Sequence, residues 1–461
     1  MQLQNILQRA LEKAEVDYCE IRLEDSERVN VVFRGQGLED VTQKIQYGGN
    51  VRALHKGAWG FASFNDLQQL DDAVGKACKQ AQIAGSRLGG ESTLAPVPVV
   101  QDEFSPDLLL NPRAISLQEK IRILNRYNDL ILNYHDRITS ASIRYKEQFT
   151  NLKFANTEGT YIAQDKLDIG SSFSAQARGD KITVSHGIGR GSSRGFDCIL
   201  GMEEDLKEAC QITVDLLDAP QVAAGQYPVI CDPALAGLFV HESFGHLSEG
   251  DNVYKNPDLA ETMKLGRRLG RDILTIYDSG EYFDDRGALK YDDEGVKTER
   301  ANLIEEGVLV GRLHTRETAG LMGEEPTGSA RAINYTHPPI CRMRNTSIEP
   351  GDSSFDDMIR DIDLGVYAVG SGGGQTNGEM FTFNAGYGYM IRDGELAELV
   401  RDVKLMGNVF TTLSNIDMVG DDPESRNSAG GCGKGGQSPL PTSGICPHIR
   451  IQDVIMGGAE Q

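Results

Sequence analysis

The sequence places two histidines and a glutamate within six residues, in the segment His241-Glu242-Ser243-Phe244-Gly245-His246. Neutral imidazoles are good zinc ligands, and a carboxylate next to them can take a proton from a metal-bound water. This combination of residue types predicts a hydrolytic metal site. The pattern alone leaves a second interpretation open, in which two of the eight histidines of the chain lie close together only as hydrogen-bonded groups of a core.

The spacing of the two histidines requires a distorted helix. A regular helix turns by about 140° over five residues, so the rings of His241 and His246 would face apart, whereas the familiar metalloprotease helix spaces its histidines by four. A one-residue bulge of the π type, or a helix that ends before His246, would bring the rings together, and Gly245 permits either. Before them, residues 227–231 have the pattern of a strand, and Asp232-Pro233 is typical of a helix start.

A catalytic zinc needs a third protein ligand and an open position for water. Cys432 is a candidate because it lies in a glycine-dense segment, residues 430–437, where the backbone can approach other groups closely. Lys434 is near enough in sequence to favour the thiolate form of the cysteine, which is the form that binds metal. Cys432 is therefore a candidate third ligand.

Further motifs accompany these residues. Glu249-Gly250-Asp251 follows the histidine segment, and Gly433-Lys434-x-Gly436-Gln437 follows Cys432. With these motifs the chain resembles the TldD/PmbA family, whose members were once described as modulators of DNA gyrase. The resemblance covers nearly the whole chain, and its other matching segments are residues 17–22, Gly48, 51–52, 60–62, 328–332 and 342–351.

The family has two kinds of subunit, and the resemblance implies the catalytic TldD type, because the PmbA (TldE) type lacks the histidine motif. It also implies one zinc per chain, held by His241, His246 and Cys432, with Glu242 as the general base. Members of this type degrade unstructured peptides and trim leader segments from precursors of peptide antibiotics. By this resemblance, a peptide would enter as an extended strand, and the partner would be a PmbA/TldE-type subunit or a second copy of the chain.

Four residues near these motifs have two interpretations each. Glu249 and Asp251 either orient a ligand imidazole through a hydrogen bond, as metal-bound histidines commonly require, or cap a turn. Cys446 and His448 either compete with Cys432 for the metal or form a surface turn without a role. We predict that Cys432 is the ligand.

The mechanism that we predict is attack of water on a peptide carbonyl, with Glu242 passing the proton to the leaving nitrogen. Arg331, Tyr335 and His337 are candidates, by chemistry alone, for stabilising the oxyanion. Two other functions remain open: a non-catalytic assembly subunit of a TldD/PmbA-type complex, and a metal-dependent hydrolase of small amides. The carboxylate of Glu242 argues against the assembly subunit, because a structural zinc site closes all four positions with Cys and His.

The composition predicts a globular cytoplasmic protein. The chain of 461 residues has no apolar run long enough for a membrane span, and its first residues place Leu3, Ile6, Leu7 and Leu11 on one helix face rather than in a targeting signal. The net charge of −22 argues against direct binding of nucleic acid. The eight cysteines include no Cys-x-x-Cys pair, which predicts buried thiols rather than disulfides.

The patterning predicts an α+β fold in three parts. These are an N-terminal mixed α/β domain over residues 1–95, a middle segment of helix plus antiparallel sheet over residues 112–218, and a C-terminal β-rich metalloprotease domain with the metal-binding helix over residues 221–461. The proline-rich stretch between the first two parts is interpreted as an extended linker. Ser116 and Glu119 have the spacing of a capping box at the start of a helix.

Overall fold

A computed structural model of the chain describes residues 2–87, 89–281, 284–425, 427 and 429–457. Before residue 219, groups of one to three strands alternate with single α-helices. The strands are β1 (Tyr18–Arg34), β2 (Gly37–His55), β3 (Ala58–Phe64), β4 (Gln101–Phe104), β5 (Ile138–Asn156), β6 (Tyr161–Arg178) and β7 (Thr183–Ser192). The helices are α1 (Gln2–Leu11), α2 (Leu70–Arg87), α3 (Leu117–Leu132) and α4 (Glu203–Asp215).

Strands from both sides of the proline-rich stretch pair in one sheet. Among the described residues it has seven strands, in the order β3-β2-β1-β5-β6-β4, and β7 shares the outer edge of β6 with β4. The central pair is β1 with β5, antiparallel from Glu20↔Asn156 to Arg34↔Ser142. The first two predicted segments therefore contribute to one continuous layer, and the boundary between them stays a prediction.

The two faces of this sheet differ in chemistry. Alternate residues of a strand point to opposite faces, and the odd-numbered residues of β1 are buried in apolar cores with the helices: Cys19, Ile21, Leu23, Val29, Val31 and Phe33. Even-numbered residues of the same strand carry charge and face the C-terminal part, where Arg22 lies 3.2 Å from Asp293. Arg52 of β2 likewise bridges Glu20 and Glu294, at 2.8 Å to each. Buried ion pairs therefore join the sheet to the C-terminal part.

Two local predictions are met only in part. The stretch interpreted as a linker contains β4, because Gln101–Phe104 pairs parallel with Tyr161 to Gln164 of β6. At the start of α3, the Ser116 hydroxyl accepts from the backbone N–H of Glu119, but no reciprocal bond forms, since the Glu119 side chain pairs with Arg122 instead. The cap is therefore a single hydrogen bond.

The C-terminal part is rich in strands. They are β8 (Gly225–Cys231), β9 (Ile276–Ser279), β10 (Ala301–Glu305), β11 (Val308–Leu309), β12 (Ala330–Arg331), β13 (Ile340–Cys341), β14 (Asn345–Ile348), β15 (Leu364–Asn377), β16 (Met380–Arg392), β17 (Glu395–Val400), β18 (Lys404–Asn408), β19 (Ile416–Val419), β20 (Glu424–Ser425), β21 (Cys432–Lys434), β22 (Gln437–Leu440), β23 (Ile445–Cys446) and β24 (Ile449–Gly457). The helices are short: α5 (Pro233–Phe239), α6 (Gly250–Lys255), α7 (Pro257–Thr262), α8 (Arg316–Met322), α9 (Phe355–Ile359) and α10 (Val409–Ser414).

Five of these strands close into a ring. They neighbour one another in the order β15-β8-β24-β18-β16, and β15 also pairs with β16. Helix α5 packs on the ring through Phe239, whose side chain contacts the aromatic rings of Phe381 and Phe383 on β16. The fold is α+β, as predicted from the sequence. None of the helices in the described ranges is long and apolar enough to cross a membrane.

Candidate metal centre

The two histidines lie on a helix that changes its pitch between them. Strand β8 leads into α5, where the Asp232 carboxylate caps the first turn by accepting from the backbone N–H of Leu235 at 2.8 Å. After α5, residues Val240–Gly245 are π-helical and His246–Ser248 form a 3₁₀ turn. Of the two distortions that the sequence left open, the structure has the π-type one. It brings the rings of His241 and His246 to 5.5 Å between centroids.

Gly245 is required at this place for packing rather than for its backbone conformation. Its backbone φ is −55°, an ordinary helical value, so the backbone conformation does not demand glycine. A Cβ atom there would instead overlap Sδ of Met343, which is fully buried. The close approach of Met343 to the helix therefore depends on glycine directly before His246.

Cys432 reaches the helix on a short hairpin. β21 pairs with β22 across a turn in which Gly435 and Gly436 have φ values of +58° and +77°, the left-handed region that favours glycine. The buried Arg342 guanidinium donates to the carbonyl of Cys432 at 2.8 Å and to that of Gln437 at 3.1 Å, which fixes both strands. As a result, Sγ of Cys432 lies 3.2 Å from Nε2 of His246.

The predicted ligands are thus brought together. One donor atom each from His241, His246 and Cys432 lies within 4.8 Å of the other two. His246 is held with Nδ1 on Glu249, which leaves Nε2 directed at the cysteine. Two imidazole nitrogens and one thiol sulfur form a donor set that suits zinc, and three protein ligands leave a fourth position for water. The residues therefore fit a catalytic metal ion.

Glu249 connects the histidine to the cysteine hairpin. Its side chain is fully buried, and its Oε2 atom lies 3.0 Å from Nδ1 of His246 and 3.0 Å from Nζ of Lys434. Lys434 also pairs with Asp251, at 2.5 Å. Burial raises the pKa of Glu249, but its contacts with His246 and Lys434 outweigh this effect and lower the pKa below its usual value. The ammonium group of Lys434 is therefore engaged by two carboxylates, a contact that the sequence analysis missed.

Glu242 lies beside the donor atoms and faces a cavity. Its Oε2 atom is 4.0 Å from Nε2 of His246, and its side chain is 27% exposed. The cavity measures about 570 Å³ and is lined by α6, α7, the cysteine hairpin and the end of β15. The backbone carbonyl of Glu242 accepts from the hydroxyl of Thr376 at 2.8 Å, which ties β15 to the π-helical segment.

The three oxyanion candidates lie elsewhere. Arg331 is buried and donates to the backbone carbonyls of Met343 and Pro441, at 2.5 and 2.7 Å. Tyr335 packs on the first sheet, where its hydroxyl accepts from Gln46. Among the described residues that line the cavity at Glu242, none is Arg331, Tyr335 or His337. The structure therefore does not bring them to the metal centre.

Cys446 and His448 do not join the group of donor atoms. Cys446 is fully buried on β23, so the prediction of a surface turn is wrong for this residue. The His448 ring is held between Asp422, with Nδ1 2.7 Å from Oδ2, and the hydroxyl of Tyr367, 3.0 Å from Nε2. Both ring nitrogens of His448 are therefore already hydrogen-bonded.

Comparison with known proteins gives matches over nearly the whole chain. Family models of PmbA/TldA metallopeptidases match residues 19–81 as domain 1, residues 110–218 as the central domain and residues 224–458 as the C-terminal domain. A metalloprotease of a Synechocystis strain is 44% identical over 97% of this chain and 96% of its own length. A zinc metalloprotease TldD homolog of Saccharolobus solfataricus is 28% identical over 91% of each chain.

Solved structures share the fold. The crystal structure of a putative modulator of DNA gyrase from Thermotoga maritima superimposes with a TM-score of 0.80 at 21% identity, covering 99% of this chain and all of the other. TldE from Thermococcus kodakarensis superimposes with a TM-score of 0.79 at 18% identity, with equal coverage. The matches to the family models and the 44% identical relative establish the family of this chain. The chain belongs to the PmbA/TldD family and is a metallopeptidase.

Proposed function

We propose that this chain is a TldD-type catalytic subunit that binds one zinc ion through His241, His246 and Cys432 and hydrolyses unstructured peptides. The observation that carries the proposal is the convergence of the three donor atoms within 4.8 Å, next to a cavity that Glu242 lines. The zinc metalloprotease named in Saccharolobus solfataricus supports the choice of metal.

Each group has a chemical role in this proposal. When bound, zinc supplies Lewis-acid polarisation of the scissile carbonyl and makes water more acidic. The Glu242 carboxylate takes the proton of the attacking water and returns it to the leaving nitrogen. Glu249 holds His246 with Nδ1–H donating to its carboxylate, so that Nε2 stays available as a ligand. Asp251 does not contact His246 itself in this proposal; it holds Lys434, which contacts Glu249.

An extended peptide fits one edge of β15. Residues Gly374 to Asn377 pair with β16 on one side, and Gly374, Gln375 and Thr376 line the cavity. β8 pairs only with Val366 to Ala368, so that within the described chain no strand covers the other edge of this stretch. A substrate strand that adds to this edge would bind mainly through backbone hydrogen bonds, which suits unstructured peptides of varied sequence.

Zinc analysis of protein purified without chelator tests the ligand set. We expect about one zinc per chain in the wild type and a loss of zinc in Cys432→Ala, because a site of three ligands depends on each. Cys446→Ala is the matched control and should keep its zinc. Zinc that survives in Cys432→Ala, or disappears in Cys446→Ala, would contradict the proposed ligands.

A second variant tests the base. Glu242→Gln should keep its zinc while hydrolysis of a fluorogenic unstructured peptide falls by about 10²–10⁴-fold, the usual contribution of a general base. Loss of zinc in this variant would make Glu242 a ligand instead. Unchanged hydrolysis would remove it from the mechanism.

The two alternatives predict other results. A non-catalytic assembly subunit would show no hydrolysis that depends on Glu242, with or without zinc. A hydrolase of small amides would cleave blocked dipeptides as well as longer peptides, whereas strand addition to β15 predicts that kcat/KM rises with peptide length.

We also propose that the chain works with a PmbA/TldE-type subunit or as a homodimer, in the cytoplasm, without direct contact to nucleic acid. The shared fold with TldE is compatible with a paired assembly. All eight cysteines lie in the described ranges and none of them is in a disulfide, which suits a reducing compartment. The molar mass in solution, measured alone and with a PmbA/TldE-type chain, distinguishes the two assemblies.

A further inference from the structure

A second polar cavity, of about 210 Å³, lies between the charged face of the first sheet and the C-terminal part. Side chains of β1, β5 and β6 form one wall, and residues 331–334 and 438–441 form much of the other. This cavity shares no lining residue with the cavity at Glu242 in the described chain. The proposed peptidase mechanism therefore makes no use of it.

Positive charge is in excess on the wall of this cavity. The cationic side chains are Arg22, Arg28, Lys146, Lys166 and Arg331, and the acidic ones are Glu24, Asp168 and Asp293. The acidic groups are already paired. Asp168 accepts from Arg286 at 2.7 and 3.1 Å, and Arg22 pairs with both Glu24 and Asp293. In a chain of net charge −22, uncompensated cations at a closed junction favour an anionic occupant.

One of the cationic side chains lacks an acceptor, and two others are only partly satisfied. The side chain of Lys166 makes no hydrogen bond or ion pair with any described residue. Arg22 is 6% exposed, and its Nε and Nη1 atoms are buried without a hydrogen-bond partner. Lys146 lies 3.7 Å from Asp168, whose oxygens already accept from Arg286. Because a buried charged donor without an acceptor costs free energy, an anion between these groups would be stabilised.

The pKa values of three cationic groups on the cavity wall are lowered, as expected where positive charges have too few anionic partners. Burial, together with the neighbouring Arg331, lowers the pKa of Lys166 to about 8. Burial also lowers the pKa of Lys146. The pKa of Arg331 falls to about 9, chiefly through burial and then through two neighbouring guanidinium groups. A bound anion would raise all three values.

We propose that this cavity binds a small free oxyanion, either phosphate or a carboxylate, with Lys166 as the principal donor. The ion would contact the sheet through Lys166 and the C-terminal part through Arg331, which also donates to the carbonyl of Pro441. Leu440, which precedes Pro441 in the chain, pairs with Cys432. The ion would thus fasten the segment behind the cysteine hairpin to the first sheet, independently of whether the chain cleaves peptides.

Calorimetric titration of the full chain with inorganic phosphate, at constant ionic strength set with chloride, tests this site. We expect saturable binding to the wild type and binding at least about tenfold weaker to Lys166→Met, the loss typical of one charge-assisted hydrogen bond. Lys44→Met removes an exposed lysine of β2 in the same sheet and should bind like the wild type. Titration with acetate then shows whether carboxylates or only phosphate occupy the cavity.

Thermal unfolding in chloride gives a second readout. Because Lys166→Met removes a cation that has no partner, its Tm without phosphate should equal or exceed that of the wild type, and its response to phosphate should be lost. If this variant does not fold, Arg28→Gln replaces it, and weaker phosphate binding is again expected. The proposal is overturned if neither phosphate nor acetate binds saturably to the wild type, or if the folded variant binds phosphate as tightly.

Discussion

The Nδ1 atom of His246 lies 3.0 Å from Oε2 of Glu249, three residues further along the chain. A carboxylate accepts hydrogen bonds, so Nδ1 carries a proton, and in the neutral ring that a metal ligand requires the lone pair is on Nε2. Nε2 is the atom that lies 3.2 Å from Sγ of Cys432. The position of Glu249 therefore determines which histidine nitrogen is presented to the candidate metal ion.

Replacing Glu249 should weaken zinc binding without removing a ligand. In Glu249→Gln the acceptor for Nδ1–H loses its charge, and outer contacts of this kind usually contribute about 10–100-fold to metal affinity. Competition with a chromophoric zinc chelator measures the change directly. Glu261→Gln, at an exposed position of α7, is the control and should match the wild type. If Glu249→Gln and Glu261→Gln bound zinc with equal affinity, Glu249 would not support His246 as a ligand.

Lys434 should stabilise the protein through its two carboxylates. Lys434→Met leaves the buried Glu249 and the mostly buried Asp251 without their cation, and breaking a buried pair in this way costs about 3–5 kcal/mol. Chemical denaturation of the variants measures the cost. In a double-mutant cycle with Asp251→Asn, the double variant should lose less stability than the sum of the two single losses. A loss equal to that sum would mean that the two residues are energetically independent.

A methyl group at position 245 should destabilise the fold. In Gly245→Ala the new Cβ overlaps Sδ of Met343, so the buried methionine or the helix has to move. Overpacking of this kind costs about 1–3 kcal/mol, which denaturant unfolding detects. Met343→Ala makes room for the methyl group, so the double variant should be less destabilised than the two single losses predict. A neutral Gly245→Ala would contradict the tight contact.

The pair of Asp168 and Arg286 should make stability depend on acid pH. Burial raises the pKa of Asp168, but Arg286 and Lys146 outweigh it and lower the value from 3.8 to about 2. A carboxylate with a lowered folded pKa stabilises the fold above its unfolded pKa, and this contribution is lost as the pH falls from about 4 to about 2. The shift corresponds to roughly 2 kcal/mol at neutral pH.

The difference in unfolding free energy between the wild type and Asp168→Asn, measured from pH 6 downwards, checks this dependence. The difference should be largest near neutral pH and shrink through the acid window. Asp180→Asn, at an exposed position, controls for the general effect of removing one carboxylate. A difference between wild type and Asp168→Asn that stays constant with pH would contradict the pairing.

Local patterns predicted the helix of the candidate site well. The residues from Asp232 to His246 determine their own cap, first turn and bulge through neighbours in sequence. The cap and the first turn were predicted, and the bulge was one of two distortions that the spacing left open. Cys432 lies 186 residues from His246, so no local pattern shows their contact, and Cys432 was indicated by its residue type, its glycine-dense segment and the family resemblance. The partners of Lys434 were missed because they depend on the same long-range contact.

The shared sheet was missed for a related reason. Strand β4 has the sequence Gln-Asp-Glu-Phe, which lacks the alternation of a strand, and it is defined by its pairing with β6 about 60 residues later. The pairing of β1 with β5 likewise joins residues more than 100 positions apart. Strand order of this kind depends on the packing of the whole domain, and the hydrophobic pattern of each strand reports only which of its faces is buried.

The π-helical segment can also be described as an insertion. Without Ser243 the motif would be His-Glu-Phe-Gly-His, the arrangement with which an unbroken α-helix presents two histidines and a glutamate to zinc. The metal-binding helix of this chain and the familiar one then differ by one added residue. The carbonyl of Glu242 lies in this distorted turn and accepts from the hydroxyl of Thr376. The turn that contains the additional amino acid is thus also the point at which the cavity wall on β15 is joined to the residue that carries the proposed base.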